Sequence, residues 1–197
     1  MKKSYIILIV LGVIIFGTIM WVKSAYNNMV TLEENVETAW SQVENVYQRR
    51  ADLIPNLVNT VKGYAKHEKE TLTEVVEARA KATSVNIDPA NMNAESLNNF
   101  MKAQDGLSSA LSKLMVVVER YPELKANENF LALQSQLEGT ENRIATERRR
   151  FNEAVKRFNV SIRRFPNNIL AGMFGFEKKP YFKANEGADK APEVNFE

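Results

Sequence analysis

Tyr5 to Val22 reads YIILIVLGVIIFGTIMWV, eighteen residues without a charge. As a helix rising about 1.5 Å per residue it is about 27 Å long, close to the roughly 30 Å hydrocarbon core of a bilayer. Lys2 and Lys3 precede it, Lys23 follows it, and Tyr5 and Trp21 stand at its ends, where amphipathic aromatics favour the interface. A cleaved signal peptide and a buried core helix are the competing readings. Cleavage wants small residues just beyond the apolar run, and here the run ends in Trp21-Val22-Lys23. It also exceeds the roughly 7–15 residues of a signal peptide's apolar region. The segment reads as a retained anchor that contacts the lipid bilayer directly. Its N-terminal side carries two lysines and its C-terminal side one, followed by Glu33, Glu34 and Glu37. The positive-inside rule therefore puts the N-terminus in the cytoplasm and the remainder outside.

Composition removes whole classes of chemistry. The chain has no Cys, which excludes disulfides, lipidation at Cys, Cys-ligated zinc, iron–sulfur clusters and thiol catalysis. It has one His, so no site needing two can form. Lys and Arg number 26 against 24 Asp and Glu, too even a balance for a nucleic-acid-binding surface.

Beyond the anchor, apolar residues recur at three and four, and no stretch alternates as a half-buried strand does. A first helix is predicted over about 26–50, with Met29, Leu32, Val36, Ala39, Val43 and Val46 on a heptad seam. A second stretch covers about 52–82, with Leu53, Leu57, Val61, Tyr64, Ala65, Leu72, Val75, Val76 and Ala82 inward. Either Asp52 caps this second helix and Pro55 sits in its first turn, or one long helix runs through and kinks at Pro55. Residues 84–93 form a loop. A third helix covers about 94–120, with Leu97, Phe100, Gln104, Leu107, Leu111, Leu114, Val118 and Tyr121 on its stripe. A fourth covers about 129–164, where Phe130, Leu137, Ile144, Phe151, Phe158 and Phe165 fall every seventh residue. Asn127 serves as its N-cap and Pro166 as its stop. The fold class is all-α: one transmembrane helix, then an elongated antiparallel four-helix bundle with coiled-coil-like packing. The expected division is an anchor at 1–23, a bundle at 24–166, a Gly- and aromatic-rich segment at 167–182 and a disordered polar tail at 183–197.

Two blocks are more specific than heptad filler. Glu34–Glu68 contains Arg-Arg-x-Asp-Leu-Ile-Pro-Asn-Leu-Val, and Asn127–Pro166 contains Gly-Thr-Glu-Asn-Arg-Ile, followed by Ala171–Phe182. Together with the leading apolar helix they resemble the LemA family over nearly the whole chain. The resemblance implies a bacterial single-pass membrane protein with a helical-bundle domain. It implies no reaction.

No catalytic, cofactor-binding or metal-binding residues emerge, and no cofactor is expected. A di-metal bundle site needs a Glu-x-x-His motif from each of two helices, and the residue three before His67 is Tyr64. The Arg-Arg-x-Asp-Leu-Ile-Pro-Asn segment places Arg50 at a core position of the first heptad frame, and Glu147 holds one in the fourth helix. A buried Arg needs a carboxylate partner. One reading is a functional polar pocket of Arg50, Asp52 and Asn56 facing Glu138, Glu141, Asn142 or Glu147. The favoured reading is an internal ion pair that fixes helix register. Phe174, Phe176, Tyr181 and Phe182 are too many aromatics for a solvated tail. They pack back on the bundle, lie on a membrane surface or form a hook for a partner, the first being favoured.

The leading functional reading is a non-catalytic interaction or scaffold module anchored in the bacterial cytoplasmic membrane, with an unidentified membrane or envelope protein as partner and no nucleic acid. The alternatives are a self-associating structural element, hence a homo-oligomer, and, remotely, a carboxylate-based hydrolase.

Overall fold

The computed structural model describes residues 3–183 of the 197. The polar tail expected at 183–197 lies, beyond Lys183, outside the described residues. Six helices follow one another: α1 Lys3–Tyr64, α2 Lys69–Ser84, α3 Ala94–Val118, α4 Pro122–Lys125, α5 Glu128–Arg163 and α6 Asn167–Phe174. Among the described residues there is no strand.

The anchor and the first bundle helix are a single element. α1 has 62 residues, about 93 Å at 1.5 Å per residue. The side chains from Tyr5 to Trp21 are exposed. Among the described residues nothing covers this apolar run, which is not packed as a buried core helix. The chain is a membrane protein whose spanning helix continues into its folded domain.

α5 packs antiparallel along α1, as Arg50 against Glu141 and Trp40 against Phe151 establish. α2 turns back along the far end of α1, and α3 returns beside it. The lengths are unequal. α2 has 16 residues, about 24 Å, whereas α5 has 36, about 54 Å. Four full helices therefore surround the distal core only. There Ile54, Leu57, Val61, Val75, Leu107, Leu114, Leu124 and Phe130 interlock. In the membrane-proximal half, the loop after α2 and the extended chain after α6 take the place of the missing helix. They bring Ile87, Met92 and Phe182 to Trp40, Phe100, Phe151 and Phe158.

Local chemistry explains the ends. Asn93 accepts from Ser96 N, and Ser96 Oγ accepts from Asn93 N, closing a capping box at α3. Asn127 accepts from Phe130 N and starts α5, as its type suggests. Gly175 ends α6 with φ +78°, a left-handed conformation open to glycine.

Of the two readings at Pro55, the single helix running through is the one observed. Asp52 does not cap a helix, and α1 runs on to Tyr64, with the turn at 65–68. A proline inside a helix removes the hydrogen bond to the carbonyl four residues back, at roughly 3 kcal/mol. That carbonyl is Ala51 O, and Arg79 Nε of α2 donates to it at 2.7 Å. The bond lost within α1 is thus replaced by one between helices. The predicted seams also shift locally. Trp40 and Tyr47 are buried where Ala39 and Val46 are only partly so, Ile54 lies deeper than Leu53, and Tyr64 and Val76 are exposed. Phe165, expected in the core, is 82% exposed because α5 ends two residues before it.

Arg79→Ala should destabilise the full chain in detergent micelles by about 1–2 kcal/mol, the penalty for an unsatisfied buried carbonyl. In a Pro55→Ala background the same change should have much less effect, because the new N–H can reach Ala51 O. Thermal unfolding of the unsubstituted chain, the two single variants and the double variant tests this, and strictly additive effects would refute it.

Candidate functional site

Arg50 lies between the two apolar cores with 2% of its surface exposed. Its Nη1 donates to Glu141 Oε1 at 2.7 Å and to Ser108 Oγ at 3.1 Å. Its Nη2 donates to Gln104 Oε1 at 2.6 Å. The Gln104 amide then donates to Ala82 O of α2 at 3.2 Å. Two adjacent residues of α1, Arg50 and Ala51, are in this way bonded to α2, α3 and α5 in a single polar layer. The Tyr47 ring lies 5.1 Å from the guanidinium carbon, and burial raises the Tyr47 hydroxyl above its ordinary range.

The expected cluster is only partly assembled. Arg50 and Glu141 meet. Asp52 faces solvent and accepts from Gln48, while Asn56 and Asn142 are exposed. Glu138 accepts from Gln134 of its own helix. Glu147 pairs with Arg150 one turn on rather than with Arg50, because α5 presents Glu141, not Glu147, at the level of Arg50. Gln104 and Arg79 were missed as network members. Gln104 carried a signal, a polar residue on an otherwise apolar heptad stripe.

The four aromatics separate as well. Phe182 is buried, stacks on Trp40 at 6.0 Å and meets Phe151 edge-on, with the Arg148 guanidinium over its face. Phe176 packs between Tyr26 and Phe158. Phe174 touches Tyr26 but is half exposed, and Tyr181 is exposed.

What holds this strap is a pair of asparagines seven residues apart on α5. Asn159 accepts from Lys179 N and donates to Lys179 O. Asn152 does the same for Phe182. Lys179 also buries its side chain. Its ammonium lies 3.0 Å from Glu33 and donates to Ala90 O at 2.8 Å, joining α1, the α2–α3 loop and the strap. Sequence reasoning gave Lys179 no role, since one Lys in a basic pair carries no pattern.

His67 is exposed, and among the described residues no group of three or more His, Asp or Glu could hold a metal. Burial raises the Glu44 carboxyl, a shift that the Trp40 indole partly opposes, yet the two do not reach hydrogen-bond geometry and the indole N–H has no partner. Burial, then repulsion by Glu34, raises Glu37, with Lys179 opposing. Arg50 directs four of its five N–H donors at internal acceptors, the fourth being Gln104 O at 3.4 Å, leaving Nε unpartnered and buried. Within the layer, Arg50, Gln104 and Arg79 each bond to a group on another helix.

Gln104→Leu should therefore cost about 2–3 kcal/mol, because it leaves two buried polar groups, Arg50 Nη2 and Ala82 O, without their amide partner, whereas Glu141→Ala should cost about 1 kcal/mol or less, because water can take the place of its half-exposed carboxylate at Nη1. Thermal unfolding of the full chain in micelles ranks them, and the reverse order would contradict the assignment. Asn159→Ala removes two bonds to the strap, about 1 kcal/mol each. Hydrogen exchange should then accelerate at residues 177–182 with α1 and α5 still protected, and unchanged exchange would count against this anchoring.

The LemA family profile matches residues 39–196. Magnetosome protein MamQ 2 of Paramagnetospirillum magneticum is 28% identical over 205 residues, covering 94% of this chain and 74% of the relative. Magnetosome protein MamQ of Magnetospirillum gryphiswaldense is 27% identical, covering 91% and 72%. Protein LemA of Metamycoplasma hominis is 22% identical over 160 residues, covering 81% and 69%. With the profile spanning the polar layer, α5 and the strap, this chain belongs to the LemA family.

Proposed function

We propose that the chain is a non-catalytic scaffold of the bacterial cytoplasmic membrane that presents a helical surface to an envelope protein on the extracytoplasmic side. The observation that carries this reading is the continuity of α1 from the bilayer to the far end of the bundle. No linker separates anchor from domain, so the height and direction of the bundle follow those of the spanning helix. From Val22 to Tyr64 the helix rises about 63 Å. The internal use of Arg50, Gln104 and Lys179 supports a structural rather than a reactive role. So do relatives whose names refer to a cellular structure, the magnetosome. The lysines flanking Tyr5–Val22 support the orientation.

Because the chain has no Cys, a single Glu123→Cys at the distal end reports on both points. A membrane-impermeant maleimide should label it in intact cells, and labelling only after lysis would move the bundle to the cytoplasm. With a benzophenone on the same residue, illumination in cells should join the chain to a different protein. A product of twice the chain's own mass would assign self-association instead.

A further inference from the structure

Val76, Val116 and Leu131 are exposed singly at the distal end of the bundle, whereas four exposed apolar side chains fall together in sequence at the end beside the anchor. Phe165 is 82% exposed, Met173 72%, Ile169 54% and Phe174 49%. All belong to α6 or the residue two before it. Ile169 and Met173 are one turn apart, while Leu170 and Ala171 of the same helix are buried against the bundle. α6 is therefore apolar on two faces, of which the bundle covers one. Its polar residues, Asn167 and Asn168, are uncharged, and cations flank it: Arg163 and Arg164 before, Lys178 after, with Glu177 the acidic neighbour.

The position of α6 identifies what covers the second face. Phe174 packs edge-on against Tyr26 at 4.9 Å. With Tyr26 it lines a shallow apolar recess completed by Thr18, Ile19, Val22 and Lys23. Three of those residues, Thr18, Ile19 and Val22, belong to the spanning segment itself. A side chain on α6 thus already meets α1 at the depth where the helix leaves the hydrocarbon, and the exposed patch continues the lipid-facing surface of the anchor. A short helix with an apolar face, flanked by basic residues and placed at the bilayer boundary, has the features of an interfacial helix.

We infer that α6 is a second, monotopic membrane contact: Ile169, Met173, Phe174 and Phe165 insert into the headgroup–acyl boundary of the leaflet that α1 leaves, with Arg163, Arg164, Lys178 and Lys23 at the phosphates. The inference rests on Tyr5–Val22 spanning the bilayer. It makes the contact of the domain with the membrane two-point, one across the bilayer and one along it.

The full chain is placed singly in nanodiscs of phosphatidylethanolamine and phosphatidylglycerol, carrying one Cys with a polarity-sensitive fluorophore. Met173→Cys and Ile169→Cys report on α6, Ile14→Cys on the anchor and Glu123→Cys on water; each replaces an exposed side chain. Labels at Met173 and Ile169 should emit to the blue of Glu123. Nitroxide lipids carrying the spin near the headgroup should quench them several-fold more than Glu123, and lipids carrying it deep in the acyl chain should quench Ile14. Quenching at Ile14 with a water-like signal at Met173 would overturn the inference while leaving the anchor intact. A Met173 label shielded from both lipid nitroxide and aqueous iodide would also overturn it, assigning the face to a protein. Absence of lipid quenching at Ile14 would remove the spanning reading and this inference with it.

Discussion

The bundle is organised around one buried positive charge. Placing a guanidinium in an apolar core is unfavourable unless its donors are met, and the acceptors that meet those of Arg50 come from two other helices, α3 and α5. The next residue offers the carbonyl that Pro55 leaves free, and α2 answers with Arg79. A sliding of any helix by one turn, about 5.4 Å, would break at least one of these bonds. Leucine seams tolerate such slips far better, because one apolar contact replaces another. The proline that looks like a helix breaker in sequence is here a device for exposing an acceptor to a neighbour.

The same logic recurs nearer the membrane, where a helix is missing rather than misaligned. The proximal core of Trp40, Phe100 and Phe151 would be open on the side α2 does not reach. An extended strap closes it. Extended chain lying alone against a helix leaves its backbone groups unpaired, and Asn152 and Asn159 supply the paired donor and acceptor that a neighbouring strand would give. Their separation of seven residues keeps both on one face of α5. Lys179 then ties the strap to α1 through Glu33, so the C-terminal part of the fold is joined directly to the helix that crosses the bilayer.

How far this could be read from sequence depended on whether the determining interaction was periodic. The anchor was legible as an uncharged apolar run, and the α3 stripe and the seventh-residue positions of α5 from Phe130 through Phe158 repeat regularly, with burial following the repeat. Arg50 was legible because a charge interrupted an apolar frame. Its partner Glu141 was one of several carboxylates within range, and choosing among them required the stagger between α1 and α5, which no single helix encodes. Arg79 was illegible because its acceptor is a backbone carbonyl freed by a residue 24 positions earlier in the chain. Phe165 misled because a heptad continues on paper after the helix carrying it has stopped.

The unbroken α1 also has a mechanical meaning. Spanning helices tilt by about 20° on average, by amounts that follow local bilayer thickness. In a helix that extends about 63 Å beyond the bilayer, such a tilt carries the far end sideways by roughly 20 Å. A difference in membrane thickness of a few ångströms, too small for a flexible tether to report, would become a displacement comparable with the width of the bundle. The geometry is that of a lever, with its pivot in the lipid and its tip at the far end of the bundle.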